Sequence, residues 1–433
     1  MTGLSEAAVH PLELDGPLDD LTWLDDVIGA ARVVAIGESS HYNHEFLVLR
    51  HRVLRYLVER HGFTAYAMES GFPEGRRTDA WVRGGEPDEL GPVLATGLTS
   101  LMGFWTEMRD LLEWLRQQDG RVGFYGIDLP GSVVSTLPGL ELLFEYLAVA
   151  DPEFEPDPGI RDTAGALAVS SPFSAPAAMA AYGQLEQSTK DAFTAGVAGL
   201  VTRMAARRLE YVDRTSRDAY GEARCALAGA VALDALARAM AGGDRLSMMN
   251  IRDATMADTV EWILGREERV VLAAHNGHVQ RRPGALPGMP PMTPLGMHLA
   301  ERLGKEYAVI GTTMDTGQIL TNGPEFYTGT LFGPLPPAAP DSIDGLLAAS
   351  HAGPFGVDLR GLSDQDVRAV RAAGRQRVLA DHYGEVDVLT AYDALLHVPV
   401  ITPARPDEDA LRSAPADVQG PFEAYLGSEA KKG

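Results

Sequence analysis

The chain contains a single cysteine, Cys225, in 433 residues, so an internal disulfide framework is excluded. That scarcity fits a reducing compartment, and a cytoplasmic location is expected. Cys225 sits in the Ala-rich stretch EARCALAGAVALDALARAM, where a thiol serves as a small packing group. Cations are also scarce: 37 Lys and Arg face 60 Asp and Glu, a formal net charge of −23. Nucleic-acid binding needs clustered cations for phosphates, so that partner is not expected, whereas an acidic surface tolerates or attracts cationic small molecules. No apolar run is long enough to span a bilayer, and no membrane partner is expected. The segment MTGLSEAAVHPLELDG lacks the basic start and apolar stretch of a secretory signal. A GxSxG elbow, a GxxxxGK[ST] loop and a GxGxxG turn are all missing after the first strand, which leaves serine-elbow, phosphate-cradling and dinucleotide chemistry without support. The run from His41 to Glu45 superficially resembles a zinc helix. The HExxH order is absent, however, and His41 and His44 straddle a helix start, so no metal and no cofactor is assigned.

What is present is an alternation. Short apolar runs at Val33–Gly37, Thr64–Met68, Val122–Ile127, Val270–Ala274 and Tyr307–Thr312 are separated by longer helical patterns. This is the signature of an α/β fold, a mostly parallel β-sheet flanked by helices. The first long helix is expected from about Asn43 to Glu59, with Phe46, Leu47, Leu49, Val53, Leu54, Leu57 and Val58 on one face. A second is expected from Thr106 to Gln117. Residues 137–264 show no strand and read as a helical insertion capping the cleft, with residues 1–136 and 265–433 forming the α/β core. The Pro- and Gly-rich runs GALPGMPPMTPLG and GPLPPAAPD read as irregular loops, and GSEAKKG as a frayed tail.

The chemistry is concentrated where strands end. The first closes on Glu38, the second on Glu69, the third on Asp128 and the fourth on His275. One acidic strand end could be a helix cap. Four at the carboxyl edge of one parallel sheet, where such sheets border their ligands, point to a shared site. His41 follows Glu38 by three residues, a spacing at which a carboxylate can fix an imidazole's tautomer for general-base work. Arg50 falls in the middle of the apolar stripe of the first long helix, where a guanidinium must be paired; Glu38 and Glu69 are its natural partners. That pair reads either as a structural salt bridge or as a cation holding a catalytic carboxylate. His278, close to His275 in AHNGH, could supply a second donor. Tyr42, His44, Trp105, Asp128 and His278 are the candidate substrate contacts, although Trp105, like Trp114 and Trp262, lies in a helical context that suits packing.

At these residues the chain resembles the erythromycin esterase family. The resemblance rests on GESSHYNHEF, RHRVLRYLVERHGF, AMESG, FWTEMRDLLEWLR, GIDL, AHNGHV and YDALLHVP, in family order from about residue 30 to 402, and is weakest in the helical middle. It implies a deep cleft in which a histidine, without a metal, activates water to attack a macrolide lactone. Carried over, His41 is the general base, Glu38 and Glu69 orient it or the water, Arg50 is the helix arginine, and His275 assists at the carbonyl or leaving group with His278 beside it. Tyr42 stands where many relatives have glycine, and Gly277 where alanine is common. The leading expectation is an ester or macrolactone hydrolase acting on a macrolide or polyketide-like small molecule. The alternatives are a natural-product tailoring enzyme using the same base for cyclisation, elimination or epimerisation, and a non-catalytic binding protein.

Overall fold

Each of the five apolar runs forms a strand in the computed structural model, which describes residues 3–85, 89–168, 171–284, 290–321, 323–379 and 381–429. The strands in chain order are β1 (His10–Pro11), β2 (Val33–Glu38), β3 (Ala65–Gly71), β4 (Gly123–Asp128), β5 (Val270–His275), β6 (Tyr307–Leu320), β7 (Phe332–Leu335), β8 (Phe355–Asp358), β9 (Arg375–Leu379), β10 (His382–Glu385) and β11 (Ala394–Ile401). One sheet runs β1-β8-β11-β6-β2-β5-β3-β4, with β7 added beside β6, while β9 and β10 form a separate hairpin. The six strands from β11 to β4 are parallel. Antiparallel pairing in this sheet is confined to β1, β7 and β8.

The parallel strands are apolar over most of their buried length because both faces are covered. In β2, Val34 and Ile36 enter the core beneath the helix His44–His61, while Val33 and Ala35 enter the opposite core with the helix Arg245–Leu264. The helix His44–His61 follows the predicted stripe and ends at Gly62, whose φ of 68° provides the left-handed cap. From β2 the chain builds β3 and β4 on one side, inserts β5 between β2 and β3, and then lays β6 and β11 on the other side. The carboxyl ends of β2, β5, β3 and β4 therefore share one edge.

Between β4 and β5 every described regular element is helical. Leu140, Leu143, Leu147, Phe193, Leu200, Ala223 and Leu227 form a core of their own there. The helix Arg245–Leu264 differs from its neighbours. It falls within the run read as insertion, yet Met256, Ala257, Val260 and Ile263 pack against the sheet with Val33, Leu272 and Val309. The helix Arg217–Gly242 has the length and composition to cross a membrane, but 50% of its apolar window is buried within the protein. Cys225 on that helix is buried, as its setting implies.

Six strands went unread in the sequence, among them the two-residue β1 and the short β8. β7 lies mostly in GPLPPAAPD, and the β9–β10 hairpin and β11 follow it. The expected loop GALPGMPPMTPLG lies partly outside the described residues. Of the expected tail GSEAKKG, the helix Ala416–Glu429 takes in the first three residues and the rest lies outside.

Gly37, just before Glu38, has a spatial role. A Cβ there would meet Asn276 Oδ1 at 2.1 Å. Asn276 donates from Nδ2 to Thr312 O (2.7 Å) and Ser39 Oγ (3.0 Å), stitching β2 and β6 to the end of β5. Gly37→Ala is expected to destabilise the protein by about 1–3 kcal/mol through this overpacking. Denaturant titration would measure it, and an unchanged midpoint would refute the clamp.

Candidate active site

Strand register assembles the site. β2 and β5 pair with Glu38 directly opposite His275. β3 flanks β5 on the other side, and Glu69 Oε2 accepts the His275 backbone N–H at 2.8 Å. Asp128 closes β4, opposite Gly71 of β3.

Glu38 is buried and does not stand alone. Its Oε1 lies 2.6 Å from His41 Nδ1, and its Oε2 accepts from Arg50 Nη1 at 3.2 Å. The guanidinium of Arg50 is 2% exposed, so the pair satisfies the requirement that a charge inside an apolar stripe be matched. Burial alone would raise the Glu38 pKa. Arg50 and His41 outweigh it and hold the carboxyl below its usual range. For His41 burial works downward, but the hydrogen bond and charge of Glu38 prevail and its pKa is raised. Nδ1–H is committed to Glu38, the ring is 28% exposed, and Nε2 is left as the nitrogen available for proton transfer.

The turn that carries His41 is strained and bolted in place. Ser39 Oγ donates to Thr312 O, tying the end of β2 to β6. Tyr42 adopts φ 63°, the left-handed region that favours glycine. Its ring stacks on Trp105 at 5.6 Å, and its hydroxyl accepts from Leu101 N at 3.2 Å. Among the described residues, four of the five left-handed non-glycine residues (Tyr42, Ser100, Ser132 and Val133) lie around this edge, and Ser100 N donates to Ser132 Oγ at 2.9 Å.

His275 stands 5.3 Å from His41, centroid to centroid. Gly277 N–H donates to its Nδ1 at 3.0 Å, so that nitrogen carries no proton and Nε2–H donates to Ser39 O at 3.2 Å. Burial, with His41 nearby, pushes its pKa down to about 4, and it is a neutral imidazole at physiological pH. His278 is the opposite case. It donates from Nδ1 to Asp253 Oδ1 (2.8 Å) and from Nε2 toward Glu69 Oε1 (3.3 Å). Burial opposes the charge, but Asp253 and Glu69 raise its pKa to about 10, an imidazolium.

Asp128 and Glu69 converge on Arg252. This guanidinium donates from Nε and Nη2 to Asp128 at 2.8 and 2.6 Å, and from Nη2 to Glu69 at 2.7 Å. Its Nη1 lies 3.2 Å from His278 Nε2, both cations drawn in by Glu69. With His278 and Arg252 beside it, Glu69 is held well below the carboxylate range in spite of its burial. The cluster thus sets four carboxylates (Glu38, Glu69, Asp128, Asp253) against two guanidiniums. With His278 an imidazolium, it is anionic by one charge while His41 is neutral.

Neither Arg252 nor Asp253 was identified from the sequence. A signal existed: on the helix Arg245–Leu264, Asp253 falls in line with Met256, Ala257 and Val260 on the buried face, the same pattern that singled out Arg50. Three candidate substrate contacts lie outside the Glu69 network. Trp105 is fully buried against Phe332 and Phe422 and is a core residue, so the structure corrects its reading as a substrate contact. Tyr42 is likewise buried, with its ring 5.6 Å from that of His41. His44 is partly exposed and bound through Nδ1 to Glu107 at 2.6 Å, apart from the network around Glu69. Among the described residues no group of three or more His, Cys, Asp or Glu side chains is arranged to hold a metal ion.

Known proteins share both the sequence and the fold. The chain is 32% identical over 332 residues to an erythromycin esterase type II from Escherichia coli, covering 74% of this chain and 77% of that protein. It is 28% identical over 305 residues to an erythromycin esterase type I from the same organism, covering 68% and 73%. A solved structure of the erythromycin esterase mutant EreC in its open conformation superposes with a TM-score of 0.76 at 22% identity, covering 93% of this chain and 99% of that one, a likeness of fold. The family model described as Erythromycin esterase matches residues 58–401, and the chain belongs to the erythromycin esterase family.

Proposed function

We propose that this protein hydrolyses the ester bond of a macrolactone or related small-molecule ester, using His41 to activate water. The observation that carries this reading is the Arg50–Glu38–His41 relay, which fixes one imidazole nitrogen and frees the other at the sheet's carboxyl edge. His41 Nε2 takes a proton from water as the oxygen attacks the ester carbonyl. The imidazolium so formed is stabilised by Glu38 and by the surplus negative charge of the cluster. It then returns the proton to the departing alkoxide, leaving a carboxylic acid that ionises by releasing its remaining proton to solvent. Neutral His275 is placed to donate from Nε2–H to the developing oxyanion once released from Ser39 O. Glu69, held by Arg252 and His278, fixes the backbone of His275 and acts through position. No metal enters this scheme, because the carboxylates are engaged by guanidinium and imidazole groups. An anionic cluster also favours a substrate bearing an amine and expels a carboxylate product.

Incubation with a 14-membered macrolide is expected to yield a product heavier by one water, including after exhaustive EDTA treatment. His41→Ala should reduce kcat/KM by about 10²–10⁴-fold. An unchanged drug, or full activity in the variant, would overturn the proposal.

The pH profile provides a separate check. The base form of His41 is neutral and its pKa is raised, so activity should rise with pH along an acid limb lying above 6.5. Removing the anion that raises it, by Glu38→Gln, should move that limb to lower pH while lowering the plateau. A limb that stays in place would disprove the coupling.

Arg252 is a positioning residue. Arg252→Gln is expected to cost about 3–5 kcal/mol by leaving Asp128 and Glu69 buried and underpaired. Arg252→Lys should restore stability only in part, because an ammonium cannot bridge two carboxylates as a planar fork does. Full recovery of stability and kcat with lysine would reduce its role to bulk charge.

A further inference from the structure

Beside the cluster lies a cavity of about 300 Å³, bounded on one side by His275 and His278. It opens between the start of the helix Arg245–Leu264, the turn after β5 and the strand β9. Ligand pockets for whole drug-sized molecules run from roughly 300 to 1,000 Å³, so a space this small takes part of such a molecule.

Most of its polar wall atoms are already engaged, and the unpartnered Arg377 Nε is buried out of a guest's reach. Arg252, Asp253 and His278 satisfy one another and Asp128. Gln280 Oε1 accepts from the Tyr392 hydroxyl at 3.3 Å. Arg377 donates from Nη1 to Asp315 O, and from Nη2 to Pro336 O at 2.6 Å. What remains to meet a guest is apolar: Leu236, Met248, Met249, Met292, Val378 and Leu379. The three methionines are half-buried and Leu379 is 44% exposed, which leaves apolar surface open at the edge of the reacting groups. Thioether side chains are unbranched and polarizable, and they adapt to irregular alkyl shapes.

We infer that this cavity is a specificity subsite that receives a branched alkyl arm of the ester substrate, with Met248, Met249 and Met292 setting what fits. The inference rests on the hydrolase reading for the identity of the guest. The cavity itself is tested without turnover.

The protein labelled with ¹³C at the methionine methyls is titrated with branched secondary alcohols from 2-butanol to 4-heptanol. Resonances of Met248, Met249 and Met292, assigned with single Met→Leu variants, should shift saturably. Affinity should rise about fourfold per added methylene until the space is filled. Met249→Trp and, independently, Met292→Trp should weaken binding by at least tenfold with the circular dichroism spectrum retained. Absence of shifts at these three methyls, or undiminished binding in both tryptophan variants, overturns the subsite. If the shifts occur but no ester is hydrolysed, the subsite stands and the hydrolase reading falls. If esters are hydrolysed without the shifts, the hydrolase reading stands and the subsite falls.

Discussion

The carboxylate of Glu38, buried at the end of a central parallel strand, governs the arrangement around it. An ionised group in that position is costly unless matched, and two partners match it: Arg50 from below and His41 from the following turn. Each partner gains a fixed geometry in return. Arg50 anchors the helix His44–His61 to the sheet, and His41 acquires one defined tautomer and one free nitrogen. The same contact stabilises the fold at the edge of the core and leaves one imidazole nitrogen free. A structural salt bridge and the relay proposed for His41, separate readings at the level of sequence, share one set of atoms.

The remainder of the cluster follows the same rule with a different cation. Glu69 and Asp128 end neighbouring strands and meet at Arg252, and His278 is drawn between Glu69 and Asp253. Two imidazoles in one site are thereby pushed in opposite directions. His278, buried but flanked by anions, is raised to about 10, whereas His275, buried beside His41, drops to about 4. Separated protonation states in adjacent groups are what a division between acid and base in the proposed reaction would require. The strain at Tyr42 has a comparable logic: an aromatic residue in a left-handed conformation is held by stacking, by a backbone amide and by the bolted Ser39 turn.

The helix Arg245–Leu264 joins two parts of the molecule that the linear pattern separates. Its buried face completes the second core of the sheet, its Arg252 and Asp253 hold the cluster, and its first turns wall the methionine-lined cavity. Mutations along this helix therefore act on stability, on the protonation of His278 and on the shape of the cavity through one rigid element.

The sequence by itself determined the alternation of five buried strands with helices, the stripe that makes Arg50 a buried cation, and the identity of the groups that close each strand. Those are local matters, set by period and by the cost of burying charge. β7 was hidden by its prolines, and the β9–β10 hairpin and β11 by the weak, context-dependent signal of short strands. Which carboxylate takes which cation was decided only in three dimensions, because it depends on strand order: β5 enters between β2 and β3 and brings His275 opposite Glu38 and beside Glu69. Arg252 reaches the site across more than a hundred residues of helical chain, a distance over which no spacing carries information. Trp105 shows the converse limit. The sequence left both a substrate contact and a packing role open, and packing against Phe332 and Phe422 decided for the core.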